Sequence, residues 1–366
     1  MRCIILILMV LLLSSCGDDE PIGPITETGI SLTGIPYSPE PFVLEAIPNF
    51  PLLEIPNDNP LTVEGVSLGR HLFFDPILSI DSTIACASCH DPKLAFTDIG
   101  AFSEGVNGVI GTRSSMSLLN IGYVYSGLFW DGRSPNLEEQ AIHPVENILE
   151  QNHNWEDLLM ELRKHSDYPE MFRKAFGIET TAGITQELTT KAIAQYERII
   201  QSGNSKFDQV LLGTNVFTDQ ELDGYDMFFD RNELLPDAEC AHCHTAPLFS
   251  DNTFKNNGLD SVDNLANFID PGYGEVTGNI FDNGKFRVPT LRNIEITAPY
   301  MHDGRFESLE EVLDHYISGG QPSLNKDQIL YRLNINEDQK SSLLAFLNTL
   351  TDTSYLENEL YLSPFD

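Results

Sequence analysis

Basic residues are scarce in this chain. It has 21 lysines and arginines against 55 aspartates and glutamates, a formal net charge of −34 over 366 residues. A field of that sign keeps a protein soluble and argues against nucleic acid and anionic lipid as partners. It would attract a basic protein. Long apolar runs are nearly missing as well. The one candidate, Ile4 to Leu13, is too short to span a bilayer as a stable helix. It follows the basic start Met1-Arg2 and ends in Leu13-Ser14-Ser15-Cys16, so residues 1–16 read as a signal peptide that closes on a bacterial lipobox cysteine. The expectation is an exported protein, periplasmic or at the cell surface, held to a bacterial membrane only through lipid on Cys16. Cysteine is sparse too, with six in all. Cys3 lies in the leader and Cys16 carries the lipid. The remaining four form two close pairs, which leaves none for a structural disulfide. No stretch shows a clear strand pattern. Residues 17–60 are rich in proline, from Pro21 to Pro60, and show no helical period, which reads as an extended tether.

What is present is concentrated in the two pairs. Cys86-Ala87-Ser88-Cys89-His90 and Cys240-Ala241-His242-Cys243-His244 both read C-x-x-C-H. That spacing is the signature of c-type haem attachment. Two thiols three positions apart reach the two vinyl groups of one porphyrin, and the next residue places an imidazole under the iron. A thioredoxin-like redox pair would want a βαβ context, which is missing. Two zinc half-sites would not require a histidine at the same place in each. The reading is two covalent haem c groups, ligated by His90 and His244.

The motifs belong to a longer duplication. Gly69-Arg70-His71-Leu72-Phe73-Phe74-Asp75 precedes the first, and Gly224-Tyr225-Asp226-Met227-Phe228-Phe229-Asp230 precedes the second. Leu94 to Asp98 matches Leu248 to Asp251, and Ser117-Leu118-Leu119-Asn120-Ile121 matches Thr290-Leu291-Arg292-Asn293-Ile294. Asp131-Gly132-Arg133 and Asp303-Gly304-Arg305 are each followed, three residues on, by Leu-Glu-Glu. Self-similarity in this order means two copies of one structural unit. The expected fold is mainly α: two related cytochrome c-like domains, residues 61–203 and 204–355, with long loops at 251–286. Asn136 is expected to cap one helix, and Ser308 with Glu311 to make a capping box for another from Leu309 to near Gly319. Helical periods mark 185–201 and 337–350 as packing helices.

Chemistry is expected where the copies differ. Phe129-Trp130 precedes Asp-Gly-Arg in the first copy, and Met301-His302 holds that place in the second. Trp130 is either core or a route for electrons. Glu146 and Glu150, at helical i,i+4 spacing, are candidate proton carriers, set against the ordinary reading of solvated surface acids.

These residues resemble the bacterial di-haem cytochrome c peroxidase and MauG superfamily. The resemblance runs from about Leu61 to Leu350 and is strongest at Leu68 to Asp75, Cys86 to His90, Phe129 to Arg133 and Thr297 to Arg305. It implies that His90 holds the haem where peroxide reacts and His244 the electron-transfer haem, with Trp130 between them. It places Gln140, Pro144 and Glu150 on the family's distal glutamine, proline and acid–base glutamate. It also implies one calcium ion, with Thr297 and Pro299 offering carbonyls and Ser114 standing where an asparagine is usual.

Two departures matter. The loop Glu104-Gly105-Val106-Asn107-Gly108 lacks the histidine that blocks the peroxidatic iron in typical members, so an iron open in the fully oxidised state is expected. Tyr316 takes the place of the usual methionine ligand of the second haem, as in MauG-type enzymes, with Met301 as a rival. The implied activity is reduction of hydrogen peroxide to water with electrons from a small cytochrome c or cupredoxin. Two alternatives stand beside it: a MauG-like oxidation of a partner protein or organic substrate, and a non-enzymatic di-haem electron carrier.

Overall fold

The structure is a computed structural model that describes residues 29–365; the leader, with Cys3 and Cys16, lies outside the described residues. The N-terminal lobe is built from α1 (Val63–Phe74), α2 (Cys86–Cys89), α3 (Leu137–Gln140), α4 (Ile142–Glu146), α5 (Trp155–Lys164), α6 (Tyr168–Phe176) and α7 (Gln186–Ile199). The C-terminal lobe holds α8 (Lys206–Leu211), α9 (Asp219–Phe228), α10 (Tyr273–Thr277), α11 (Leu309–Ser318) and α12 (Glu337–Asn348). Two-residue strands β1 (Phe254–Lys255) and β2 (Phe286–Arg287) pair antiparallel at the base of the long loop. The architecture is mainly α with long irregular connections, as the sequence implied.

Local chemistry sets the helix starts. Asn136 Oδ1 accepts from Glu139 N at 2.8 Å and opens α3. Ser308 caps α11 through Glu311 N, and Gly319 ends it in the left-handed region at φ 86°. The capping box expected there is half formed, because the Glu311 carboxylate turns to Glu307 N instead of Ser308 N.

Each lobe is organised by one helix crossing. Gly69 on α1 meets Ala192 and Tyr196 on α7, and Gly224 on α9 meets Ser342 and Phe346 on α12. Absence of a side chain lets the backbones touch, and aromatic rings close over the junction: Phe73, Phe96 and Tyr196 in one lobe, Phe207, Phe228, Phe249 and Phe346 in the other. The duplication reaches the backbone torsions. Phe96 and Phe249, Asn120 and Asn293, Phe129 and Met301 occupy the left-handed region in matched pairs. Such conformations cost about 1–3 kcal/mol each in a non-glycine residue and persist only where packing imposes them.

Both ends of the described chain depart from the two-domain reading. Among the described residues of the proline-rich stretch, 29–60, there is no helix, but the segment is docked. Leu32 N bonds to Glu179 O, Phe42 N to Leu61 O, and Phe50 lies under the Arg292 guanidinium of the other lobe at 4.4 Å. Proline removes the donors that regular structure needs, while Leu32, Phe42 and Phe50 still have apolar surface to bury. At the other end, Tyr355 and Tyr361 belong to the N-terminal core. Tyr361 Oη donates to Ile199 O at 2.6 Å, and Arg70 donates to the carbonyls of Leu362 and Glu359. The last residues therefore strap the second lobe to the first. A Cβ at Gly69 would lie 1.9 Å from Ala192 O, and one at Gly224 2.0 Å from Ser342 O. Gly69→Ala and Gly224→Ala are each expected to lower the stability of the haem-loaded protein by about 1–3 kcal/mol in thermal unfolding; unchanged melting would mean that the backbones do not touch.

Two cavities and the candidate active site

Each lobe opens a cavity over its C-x-x-C-H motif. The first, ≈ 660 Å³, is lined by Cys86, Cys89 and His90 together with Arg133, Gln140, Pro144 and Glu150. The second, ≈ 250 Å³, is lined by Cys240, Cys243 and His244 together with Met301, His302 and Tyr316. Trp130 and Arg287 line both.

The two imidazoles are held identically. His90 Nδ1 lies 2.9 Å from Phe96 O, and His244 Nδ1 lies 2.9 Å from Phe249 O. A carbonyl only accepts, so Nδ1 is the donor and Nε2 keeps its lone pair free. The left-handed turns at Phe96 and Phe249 aim those carbonyls. Burial lowers the pKa of both rings, against the opposing pull of the carbonyls, and so favours the neutral form that a metal requires.

The wall between the cavities is bonded across the lobes. Trp130 Nε1 donates to Ser114 O at 2.9 Å, and Ser114 Oγ donates to Met301 O at 2.8 Å. Asn257 Nδ2 then meets both Met301 Sδ and Tyr316 Oη, each at 3.4 Å. Burial pushes the Tyr316 phenol up to about 12.

The family model described as di-haem cytochrome c peroxidase matches residues 63–216. A cytochrome-c peroxidase of Pseudomonas sp. (strain SCT) is 34% identical over 332 residues, covering 82% of this chain and 84% of that one. The methylamine utilization protein MauG of Methylorubrum extorquens is 36% identical over 299 residues, covering 81% and 80%. The chain belongs to the di-haem cytochrome c peroxidase family. Its fold is also that of a solved MauG-like protein associated with microbial copper homeostasis, at TM-score 0.82 and 32% identity, over 89% of this chain and 100% of that one.

The donor set fits the two haem c groups that the family implies. All four motif cysteines are free thiols, each pair beside an imidazole with an open Nε2. Arg287 fits as well. It is buried, its neighbours are the Phe129 carbonyl and Met116 Sδ, and among the described residues no carboxylate pairs with it. A guanidinium so placed, facing both cavities, suits the carboxylates at a haem edge.

Among the described residues lining the first cavity, His90 is the only histidine, and the loop at Gly105 contributes backbone. Gln140, Pro144 and Glu150 come together here, as the resemblance implied. Glu146 does not join them. The helical i,i+4 reading fails because α4 ends at Glu146 and Asn147 turns the chain, leaving Glu146 exposed and carrying Glu150 inward. Burial raises the Glu150 pKa; the Asn147 hydrogen bond and the Arg133 charge oppose it. Asn147 Nδ2 donates to Glu150 Oε1 at 2.7 Å.

Sequence reasoning missed Asn147, Asn257 and Arg287. An asparagine three residues before a candidate acid was the available signal for the first. Asn257 lies in a loop without period, and Arg287 on the two-residue β2, too short to leave a pattern. The residues assigned to calcium, Ser114, Thr297 and Pro299, all line the second cavity.

If Glu150 is the proton acceptor, the acid limb of activity follows its ionisation. Asn147→Ala removes a donor that favours the carboxylate, so the pKa rises and the acid limb should move to higher pH; a limb that stays in place would remove Glu150 from that role. Glu150→Gln is expected to lower peroxide turnover by about 10²–10⁴-fold with both haem spectra retained.

Proposed function

We propose that this protein reduces hydrogen peroxide to water, H₂O₂ + 2 H⁺ + 2 e⁻ → 2 H₂O, with electrons from a small redox protein. The observation that carries the reading is the first cavity, lined by one imidazole, His90, and a half-buried carboxyl, Glu150. When bound there, haem supplies an open iron position and the electrons that cleave the O–O bond. Glu150 takes the proton from the near peroxide oxygen and returns it to the leaving one. Asn147 holds one carboxylate oxygen and leaves the other free. Gln140 and Pro144 shape the pocket and limit water. Trp130, in the wall shared by both cavities, bridges the lobes for electrons delivered to the His244 side.

The acidic surface suits a basic donor, such as a small cytochrome c, better than a neutral one; a cupredoxin of the same charge would serve equally. Export and a lipid on Cys16 would place the reaction outside the cytoplasm. Calcium belongs to the same reading, held by Ser114 Oγ and the carbonyls of Thr297 and Pro299. These oxygens suit a hard cation, but all three are neutral, so weak binding is expected.

Tyr316 favours a second reading. A phenolic oxygen facing the His244 cavity is the MauG-like arrangement, and the solved relative at 32% identity is MauG-like. In that case the oxidising equivalents would pass to a partner protein or organic substrate.

The test is peroxide added to the fully oxidised protein together with a reduced small cytochrome c. Cytochrome oxidation without prior reduction is the expected result. A spectral change with no cytochrome oxidation would move the assignment to the second reading, and no response to peroxide would reject both. For the second haem, Tyr316→Phe should alter its spectrum and Met301→Leu should not; the opposite pattern would assign Met301 as ligand.

A further inference from the structure

The helix crossings put Glu197 and Leu347 at the same place in the two lobes. Gly69 faces Ala192 and Tyr196, Gly224 faces Ser342 and Phe346, and both partners differ by 150 residues (342 − 192 and 346 − 196). Position 197 therefore corresponds to 347. Both side chains line their haem cavity, one turn beyond the matched pair Ile193 and Leu343. In the second lobe a leucine fills this wall. In the first lobe an acid does, 5% exposed, with Oε2 buried and without a hydrogen-bond partner. A carboxylate oxygen buried without a partner is costly, and the group avoids the cost by keeping its proton. Burial pushes the Glu197 carboxyl up to about 8; Arg198 opposes the shift and Glu138 adds to it.

The neighbouring charges leave Glu197 to respond to the cavity. Arg198 is spent on Glu138, at 2.9 and 3.1 Å. From α1, Arg70 turns to the carbonyls of Leu362, Glu359 and Ser363. From α6, Arg173 turns to Ile35 O and Gly177 O, and Lys174 to Glu170. The segment Ile121–Tyr123 packed on α7 carries only the Tyr123 phenol, which accepts from Gln201. Cys86, whose thiol feels Glu197, becomes a neutral thioether once haem is attached.

We propose that Glu197 is the redox-linked proton site of the first haem cavity, protonated when the adjacent haem is reduced and ionised when it is oxidised. One electron entering the cavity is then matched by one proton entering from solvent, and the same proton leaves with the electron. The reason is reciprocal coupling. Negative charge added in a low-dielectric wall raises the proton affinity of a nearby acid, and protonation of that acid favours the electron to the same degree. Leu347 allows no such coupling, so only the first haem should show it. The inference rests on the haem placement of the proposed function, and it does not require peroxide turnover.

The experiment is a spectroelectrochemical titration of both haems in the intact protein between about pH 6 and pH 9. The midpoint potential of the first haem is expected to fall as pH rises, by up to ~59 mV for each tenfold drop in proton concentration, the one-electron conversion. The second haem should stay flat. Glu197→Gln and Glu197→Leu should flatten the first as well; the leucine variant copies what the second lobe already packs at this crossing. Glu150→Gln should keep most of the slope, because the Asn147 hydrogen bond and the Arg133 charge favour the Glu150 carboxylate. A pH-independent first haem in the wild type, or the same slope in Glu197→Gln, overturns the proposal. Should the Glu197 variants fail to take up haem, redox-difference infrared spectra of the wild type and Glu150→Gln decide: a carboxylic acid band gained on reduction in both supports Glu197 protonation, and its absence from either rejects it. Absent peroxide turnover with the slope intact would count against the proposed function alone.

Discussion

Two imidazoles tied to backbone carbonyls are the constraint on which the rest of the molecule depends. A ring that can rotate offers no fixed lone pair. Here Phe96 and Phe249 sit in a strained left-handed conformation so that each carbonyl meets the Nδ1 of its histidine at 2.9 Å. That strain must be imposed by packing. The glycine crossings of α1 with α7 and of α9 with α12 bring the helices close enough to trap Phe96 and Phe249 in fully buried aromatic cores. A hydrogen bond from the far ring nitrogen fixes both the tautomer and the direction of a metal-binding histidine.

The same scaffold, used twice, gives two different rooms. The first has Glu150, Gln140 and Arg133 beside its imidazole in the lining, and an acid, Glu197, in its helical wall. The second has Tyr316 and Met301 in its lining with the imidazole, and Leu347 in the matching wall. A site that must admit a substrate and manage protons needs polar groups and space. A site that only passes electrons is served by a closed apolar wall and a second ligand. Trp130 and Ser114 join the two rooms by side-chain hydrogen bonds to backbone carbonyls.

Much of this was legible in the sequence because covalent attachment demands a rigid motif. The C-x-x-C-H spacing, the repeated glycine-to-aspartate segments and the helix caps at Asn136 and Ser308 each reflect a local requirement. What escaped was non-local. Asn257 acts through a loop 59 residues before Tyr316, Arg287 has no partner in sequence, and the significance of Glu197 appears only when two helix crossings are superposed. The helical spacing of Glu146 and Glu150 misled, since Asn147 ends the helix between them. Docking of residues 29–60 and of the C-terminal strap was hidden for a related reason: neither segment carries a period, and what orders them is burial against surfaces formed elsewhere in the chain.

The central claim is that the first haem keeps an open position at rest, since His90 is the only histidine among the described residues lining its cavity. EPR spectroscopy of the fully oxidised protein tests it most directly. The account requires one high-spin ferric signal from the His90 haem beside one low-spin signal from the His244 haem. Two low-spin signals would mean that a side chain closes the iron, and the constitutively open site would have to be abandoned.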